Sequence, residues 1–341
     1  MVKVGVIGCG YWGPNLVRNF SRTPGAKIVA ASDSRADRLE PIRQAYPSLW
    51  VTTDSTELIE SPDIDAVAIA TPVSTHFELA MEALRAGKHV LVEKPLAGSS
   101  EEAMHLIDEA AKRNLVLMVD HTFVYSGTVR TVHDLITNDG VGDITYYDAV
   151  RVNLGLFRHD VNVLWDLAVH DLSIMDFLLR QRPCAVSATG AKHVEGEHEN
   201  IAYVTVFFDG SLIAHIHANW LAPVKIRHTL IGGTKKMIVC NDLEPIEKVR
   251  VYDSGITLTD DPENLSKLRV SYRTGGMVAP EIDPTEALGT EALHFVDCIT
   301  RGTTPITDGH TGLRVIRILE AASQSMLRRG APVELASISG A

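Results

Sequence analysis

The glycine turn at residues 8–13 constrains this chain more than any other stretch. Val2 to Ile7 is a short apolar run suited to a buried strand. It breaks at Gly8-Cys9-Gly10-Tyr11-Trp12-Gly13, and Asn15 to Phe20 reads as the first turns of a helix. A G-x-G-x-x-G sequence between a strand and a helix is the dinucleotide fingerprint in its required setting. Gly8 allows the tight turn, Gly10 lets the backbone approach a pyrophosphate, and Gly13 lets helix and strand pack closely. The first amides of the helix are free donors at the positive end of its dipole, which favours phosphate. Tyr11 and Trp12, held between these glycines, join them as cofactor-binding candidates.

A second apolar run, Ile28 to Ala31, ends in Asp33, twenty residues beyond Gly13. An acid at that distance binds the hydroxyls of an adenine ribose. The alternative is a solvated aspartate that caps the next helix. Asp33 repels a ribose 2′-phosphate, so NAD is expected over NADP. Ser34 lies beside the same ribose position, and Arg35 and Arg38 are near enough to blur the preference.

Further along, strands and helices alternate. Helix patterns cover Ser34 to Tyr46, His76 to Ala86 and Ser99 to Arg113. Strand patterns cover Leu49 to Thr53, Asp65 to Ala70, His89 to Glu93 and Leu115 to Asp120. This grammar means a parallel sheet covered on both faces. Asp54 with Glu57, and Ser99 with Glu102, resemble capping boxes. Past Asp120 the grammar changes. A helix between Gly127 and Asn138, a strand from Asp143 to Arg151 and a helix from Asp166 to Leu179 precede several strands with no helices between them. These are Ala185 to Ala191, Ala202 to Phe208, Ser211 to Trp220 and Arg227 to Ile231, with turns expected at Asp209-Gly210 and Gly232-Gly233. Tyr252 to Asp283 reads as loop, Glu286 to Thr300 and Thr311 to Arg329 as closing helices, and Ser337 to Ala341 as a frayed tail. The expected domains are 1–120 and 121–335, an α/β domain followed by an α+β domain with a mainly antiparallel sheet.

At 341 residues there is room for two sizeable cores. The formal charge of −11, with no basic block, argues against a nucleic-acid surface. Cys9, Cys184, Cys240 and Cys298 are scattered, which suits thiols in a reducing compartment better than a disulfide frame. The N-terminus enters a strand directly, and no apolar run approaches membrane-spanning length. A cytoplasmic protein without membrane or nucleic-acid partners is expected.

Chemistry concentrates in two places. Lys94 follows a parallel strand, and ligands of open α/β sheets bind beyond those carboxyl ends, so its ammonium is placed to face the cofactor. A lysine in that position is also compatible with simple solvation. Pro95 can fix its direction, with a cis bond among the options. In Trp165-Asp166-Leu167-Ala168-Val169-His170-Asp171, a helix would put Asp166 and His170 on one face. Histidine exchanges protons near neutral pH. The competing reading has Asp166 capping the helix and His170 in solvent. Arg151, Asn153 and Arg158 precede this helix, and arginines suit bidentate binding of phosphate or carboxylate. His121 and Tyr125, just past the sixth strand, are candidates to face the pocket. His215 and His217 alternate on one strand face, without the further ligands a metal needs, and no metal is expected.

Together, Gly8, Gly10 and Gly13, Thr71-Pro72 with His76, Glu93-Lys94-Pro95, and Asp166 with His170 resemble the glucose–fructose oxidoreductase / inositol dehydrogenase / rhizopine-catabolism (Gfo/Idh/MocA) family. These residues run in family order over nearly the whole chain. The resemblance implies a Rossmann domain followed by an open-sheet domain that lines the substrate site and builds a homodimer or homotetramer. It implies that Thr71, Pro72, His76, Glu93 and Lys94 help bind the cofactor, that Lys94 and His170 flank the reacting hydroxyl, and that Asp166 orients them or the sugar. The family accepts many sugars and polyols. The run Val163 to Asp166 resembles the branch acting on C3 of nucleotide-activated amino sugars. The expected activity is an NAD(P)-dependent sugar dehydrogenase or ketoreductase, with a nucleotide sugar preferred over a free sugar. Alternatives are an inositol or free-aldose dehydrogenase, an NAD-using glycosidase and a non-catalytic NAD(H) sensor.

Overall fold

The structure is a computed structural model that describes residues 1–155, 160–194, 198–258 and 270–335. Its first part runs β1 (Val2–Ile7), α1 (Gly13–Arg22), β2 (Ala26–Ser32), α2 (Ala36–Ala45), β3 (Trp50–Thr52), α3 (Ser55–Glu60), β4 (Ala66–Ile69), α4 (His76–Arg85), β5 (His89–Glu93), α5 (Ser100–Arg113) and β6 (Leu117–Asp120). There follow α6 (Gly127–Thr137), β7 (Ile144–Leu154), a π-helical turn (Leu164–Ala168), α7 (Val169–Leu178), β8 (Pro183–Ala191), β9 (Ile201–Phe208) and β10 (Ile213–Asn219). The remainder is β11 (Leu221–Gly233), β12 (Met237–Asn241), β13 (Val249–Tyr252), β14 (Gly255–Leu258), β15 (Val270–Arg273), β16 (Met277–Val278), α8 (Ala287–Arg301), α9 (Gly309–Leu327) and β17 (Val333–Glu334).

The chain forms two compact units, Met1–Ser126 with Thr285–Glu320, and Gly127–Pro284 with Ala321–Ala341. In the first unit six parallel strands lie in the order β3-β2-β1-β4-β5-β6. All four residues of β4 are buried, as expected of a parallel strand covered on both faces. Strand order reverses between β1 and β4, and the crevice past their carboxyl ends is where such sheets take ligands.

The expected boundary near residue 120 misses the return of the chain. Phe295 of α8 meets Phe20 of α1 edge-on, with ring centroids 6.2 Å apart. Thr307 lies along the outer edge of β6, donating its Oγ1 hydrogen to the Val119 carbonyl and accepting from the Val119 amide, both at 2.8 Å. Residues 285–320 therefore complete the first core and close an otherwise unpaired strand edge.

The second unit is built on a nine-stranded sheet, β16-β13-β12-β11-β7-β10-β9-β8-β17, antiparallel except for the β7/β10 pair. Burial alternates along β9 and β10, so one face packs and the other is open. The turn at Asp209-Gly210 forms as expected, with Gly210 at φ +91°. Gly232 and Gly233 instead lie inside β11, and the turn falls just after them. A Cβ on Gly232 would sit 2.0 Å from the Tyr146 ring, so the glycine serves close packing rather than a turn. Tyr252 to Asp283, read as loop, contains β14, β15 and β16. The expected tail at Ser337 to Ala341 lies outside the described residues. Both expected capping boxes form only in half. Asp54 caps Thr56 while Glu57 turns to the Thr52 hydroxyl, and Ser99 caps Glu102 while Glu102 reaches the Gly98 amide. Among the described residues no helix is long and apolar enough to cross a membrane.

Candidate active site

The glycine turn has the geometry its spacing requires. Gly8 has φ +94°, and a Cβ there would lie 2.6 Å from the Ala70 carbonyl oxygen. A Cβ on Gly13 would stand 1.9 Å from the Gly8 carbonyl oxygen, so α1 can approach β1 only through a glycine. Gly10 differs, since its Cβ would meet nothing nearer than the tip of Arg38 at 3.5 Å. The protein itself does not require that glycine, which leaves room for a pyrophosphate against bare backbone. Pro14 stands in the first turn of α1, where a missing amide hydrogen costs nothing. The residues present fit a dinucleotide.

Asp33 is buried at the end of β2. Its Oδ2 accepts the Cys9 amide at 2.7 Å and its Oδ1 accepts the Arg35 amide at 2.9 Å, so the carboxylate ties the glycine turn to the next loop. Arg38 approaches Oδ2 at 3.6 Å. Arg35 turns away to Asp37, and Ser34 and Tyr11 are exposed. Cys9 is no nucleophile, because burial and the neighbouring Asp33 push its thiol up to about 12.

Two loops of the crevice are braced by one side chain. His76, buried at the start of α4, places Nε2 2.9 Å from the Thr71 carbonyl oxygen and Nδ1 2.8 Å from that of Pro95. This imidazole joins Thr71-Pro72 to Lys94-Pro95. The Lys94–Pro95 peptide is cis. The Lys94 amide donates to Glu93 Oε2 at 3.0 Å. Trp12, at the start of α1, donates its indole hydrogen to Asp120 Oδ2 at 2.7 Å.

His121 and Tyr125, expected to line the pocket, are both buried. Their exposures are 1% and 3%, and the Tyr125 hydroxyl pairs with Thr307 at 3.0 Å. The returning segment 285–320 packs on Tyr125 through Thr307 and His294, and nothing near residue 125 in the sequence signals it.

In the second unit the segment carrying Asp166 begins as a π-helical turn, a form that recurs at functional sites. Asp166 does not cap it. Asn162 does, accepting the Leu164 and Trp165 amides at 3.1 and 3.3 Å. The Asp166 carboxylate instead accepts the indole hydrogen of Trp220 at 3.0 Å. His170 follows in the first turn of α7 and is half-buried.

Arg151 departs from the substrate role expected of it. It is 5% exposed and grips Asp171 with two bonds, Nε to Oδ2 at 2.7 Å and Nη2 to Oδ1 at 2.9 Å. Its charge is matched inside the core, where it fixes α7 to β7. Asn153 is half-buried on β7, and Arg158 lies outside the described residues. His215 and His217 stack on Tyr203, His217 at a centroid distance of 4.4 Å.

Sequence reasoning missed Trp220, Asp171, Asp120 and Glu291. A signal existed for Glu291 alone: it sits between Leu288 and Phe295 on the apolar stripe of α8, where a carboxylate has no reason to be unless it is buried.

This fold and this glycine turn define a dinucleotide-dependent oxidoreductase. A family model described as an oxidoreductase family with an NAD-binding Rossmann fold matches residues 2–121, and one described as the GFO/IDH/MocA C-terminal domain matches residues 129–239. The chain belongs to the Gfo/Idh/MocA oxidoreductase family, and its NAD-binding Rossmann domain agrees with the nicotinamide dinucleotide expected from the turn. It is 27% identical over 337 residues to the UDP-N-acetylglucosamine 3-dehydrogenase of Acidithiobacillus ferrooxidans, covering 92% of this chain and 94% of that one. It is 24% identical over 344 residues to the myo-inositol 2-dehydrogenase of Thermotoga maritima, covering 95% and 96%. Among solved structures, the Acidithiobacillus enzyme superposes with a TM-score of 0.79 at 25% identity, covering 95% of this chain and 96% of that one. Levoglucosan dehydrogenase with NADH and levoglucosan superposes at 0.84 with 21% identity, covering 98% and 100%.

Proposed function

We propose that the protein transfers a hydride between NAD and a secondary hydroxyl of a sugar, with C3 of a nucleotide-activated amino sugar as the preferred position. The observation that carries this reading is the delivery of Asp166 and His170, a carboxylate and an imidazole, by one short segment whose start is capped by Asn162. Bound NAD supplies the acceptor for the hydride that leaves the alcohol carbon. His170 takes the hydroxyl proton as the carbonyl forms, imidazole being the side chain suited to proton exchange near neutral pH. Lys94 stabilises the negative charge that develops on the oxygen, an interaction stronger in the transition state than in the ground state. Asp166 orients the imidazole or the sugar while Trp220 holds its carboxylate in place. In the reverse direction His170 returns the proton and a ketone is reduced.

The similarity to the UDP-N-acetylglucosamine 3-dehydrogenase over more than nine-tenths of both chains supports the nucleotide sugar. Asp33, with its carboxylate already bonded to two amides, favours NAD over NADP, and Arg38 beside it leaves NADP a weaker alternative. The open face of the second sheet carries Tyr203, Ile213 and Ile226, about two-fifths exposed each, which suits a homodimer or homotetramer built on that face. The test is NAD and NADP reduction against nucleotide sugars, free aldoses and inositols, with His170→Ala and Lys94→Ala as controls. Each substitution should lower turnover by about two to four powers of ten. Activity on inositols alone would overturn the nucleotide-sugar assignment.

A further inference from the structure

Three carboxyl side chains of the first unit gather where β5 and β6 end. Glu93 and Asp120 are register partners on those adjacent strands. Glu291 reaches Asp120 from α8 and is 0% exposed. Asp120 accepts hydrogen bonds from the Trp12 indole and from the Thr122 hydroxyl. Both oxygens of Glu291 are left unsatisfied, because the nearby Thr122 hydroxyl gives its hydrogen to Asp120. A buried carboxylate facing another carboxylate, with no donor of its own, is stable only if a proton lies between them.

The wider surroundings favour that proton. Burial first, then Asp120 and Glu93, push the Glu291 carboxyl well above the usual carboxylate range, with the Thr122 hydroxyl a small offset. Glu93 is raised by burial and Asp120, against the pull of Lys94. Tyr125, the other titratable group facing Glu291, is raised by burial and by Glu291. Asp120 already accepts hydrogen bonds at both oxygens, which leaves it the acceptor of the three.

We propose that Glu291 is a positioning residue for the dinucleotide: as a neutral acid it donates to Asp120 and so keeps that carboxylate seated on the Trp12 indole at the start of α1. The glycine turn then holds its shape through a side chain nearly three hundred positions away in sequence. Ionisation of Glu291 sets two charges against each other, Asp120 withdraws from Trp12, and the turn loosens. The inference rests on NAD binding alone and not on the sugar assignment.

The test is calorimetric titration of the full-length protein with NAD from about pH 6 to about pH 9.5, a range wide enough to ionise a raised carboxyl. Wild type should lose at least about fivefold in affinity toward the alkaline end, while Glu291→Gln, a permanently neutral donor, stays within about twofold throughout. Trp12→Phe, which keeps the ring and removes the donor, should bind about tenfold more weakly with a flat pH profile. Glu291→Ala added to Trp12→Phe should cost nothing further. A wild-type pH profile in Glu291→Gln, or losses that multiply in the double variant, would overturn the proposal. If Glu291→Gln fails to fold, the profile of Trp12→Phe decides: flat supports the link, and unchanged from wild type removes it. Because NAD binding is read directly, inactivity on every sugar leaves this result intact, and an unlinked Glu291 leaves the dehydrogenase reading intact.

Discussion

The indole of Trp220 donates to Asp166 Oδ2 at 3.0 Å, linking the residue after β10 to a helical segment 54 positions earlier. Trp220 is almost wholly buried, so the bond positions the carboxylate from a fixed point. Trp220→Phe should keep the fold at a cost of about 1–2 kcal/mol and lower turnover by about tenfold. Steady-state kinetics beside thermal denaturation separates the two effects. A fall in melting temperature with unchanged turnover would show that the bond serves stability alone.

Gly10 and Gly13 should fail in different ways. Gly13→Ala forces a Cβ against the Gly8 carbonyl, so the variant should lose several kcal/mol of stability. Gly10→Ala has room within the protein and should melt within about 0.5–1 kcal/mol of wild type. Its added methyl stands where the pyrophosphate approaches, and NAD affinity should drop by at least about tenfold. Calorimetry with and without NAD distinguishes the pair.

The buried pair of Arg151 and Asp171 should respond unevenly to substitution. Asp171→Asn leaves the guanidinium without its countercharge and should cost about 3–5 kcal/mol, whereas joining it to Arg151→Met should recover much of that loss. Urea denaturation of both single variants and the double closes the cycle. Equal and additive losses would mean the charges do not act as a pair.

Glu286 sets a modest acid limit. The Arg18 guanidinium, with two bonds to its carboxylate, brings Glu286 down to about 2. A carboxyl with a lowered folded pKa stabilises above its unfolded value and loses that contribution as pH falls through the folded one. The benefit should therefore be complete near pH 7 and fade between about pH 4.3 and about pH 2. Both side chains are partly exposed, and solvent screening limits the effect to about 0.5–1 kcal/mol. Glu286→Gln should melt slightly below wild type at neutral pH and together with it near pH 2.

Replacing Asp33 by Ser should shift cofactor preference. The charge that repels a 2′-phosphate goes, while Arg38 remains beside it. The NAD/NADP ratio of kcat/KM should fall by about ten- to a hundredfold. An unchanged ratio would show that another residue discriminates.

Local grammar carried most of the fold. The glycine turn, the alternating elements up to Asp120 and the antiparallel strands after β7 all obey rules that operate over a few residues, so they are legible in the sequence. What escaped was long-range. Tyr125 was expected in a pocket because its partner Thr307 lies 182 positions on. Arg151 was expected at the substrate because a surface arginine and one matched by a buried aspartate look alike in sequence. The residues expected to do chemistry were legible through their spacing, but those that hold them, Trp220 and Asp171 among them, belong to separate elements that only folding assembles.

Because Thr285–Glu320 completes the first unit, its six-stranded sheet is fully synthesised long before it is finished. A nascent chain released near residue 126 would present Phe20 to water and a bare flank along β6. Translation must pass through residues 127–284 of the second unit before those surfaces are sealed. A competent nucleotide pocket is thus a late product of the ribosome, and a truncation that reaches residues 285–320 would cost the protein its cofactor.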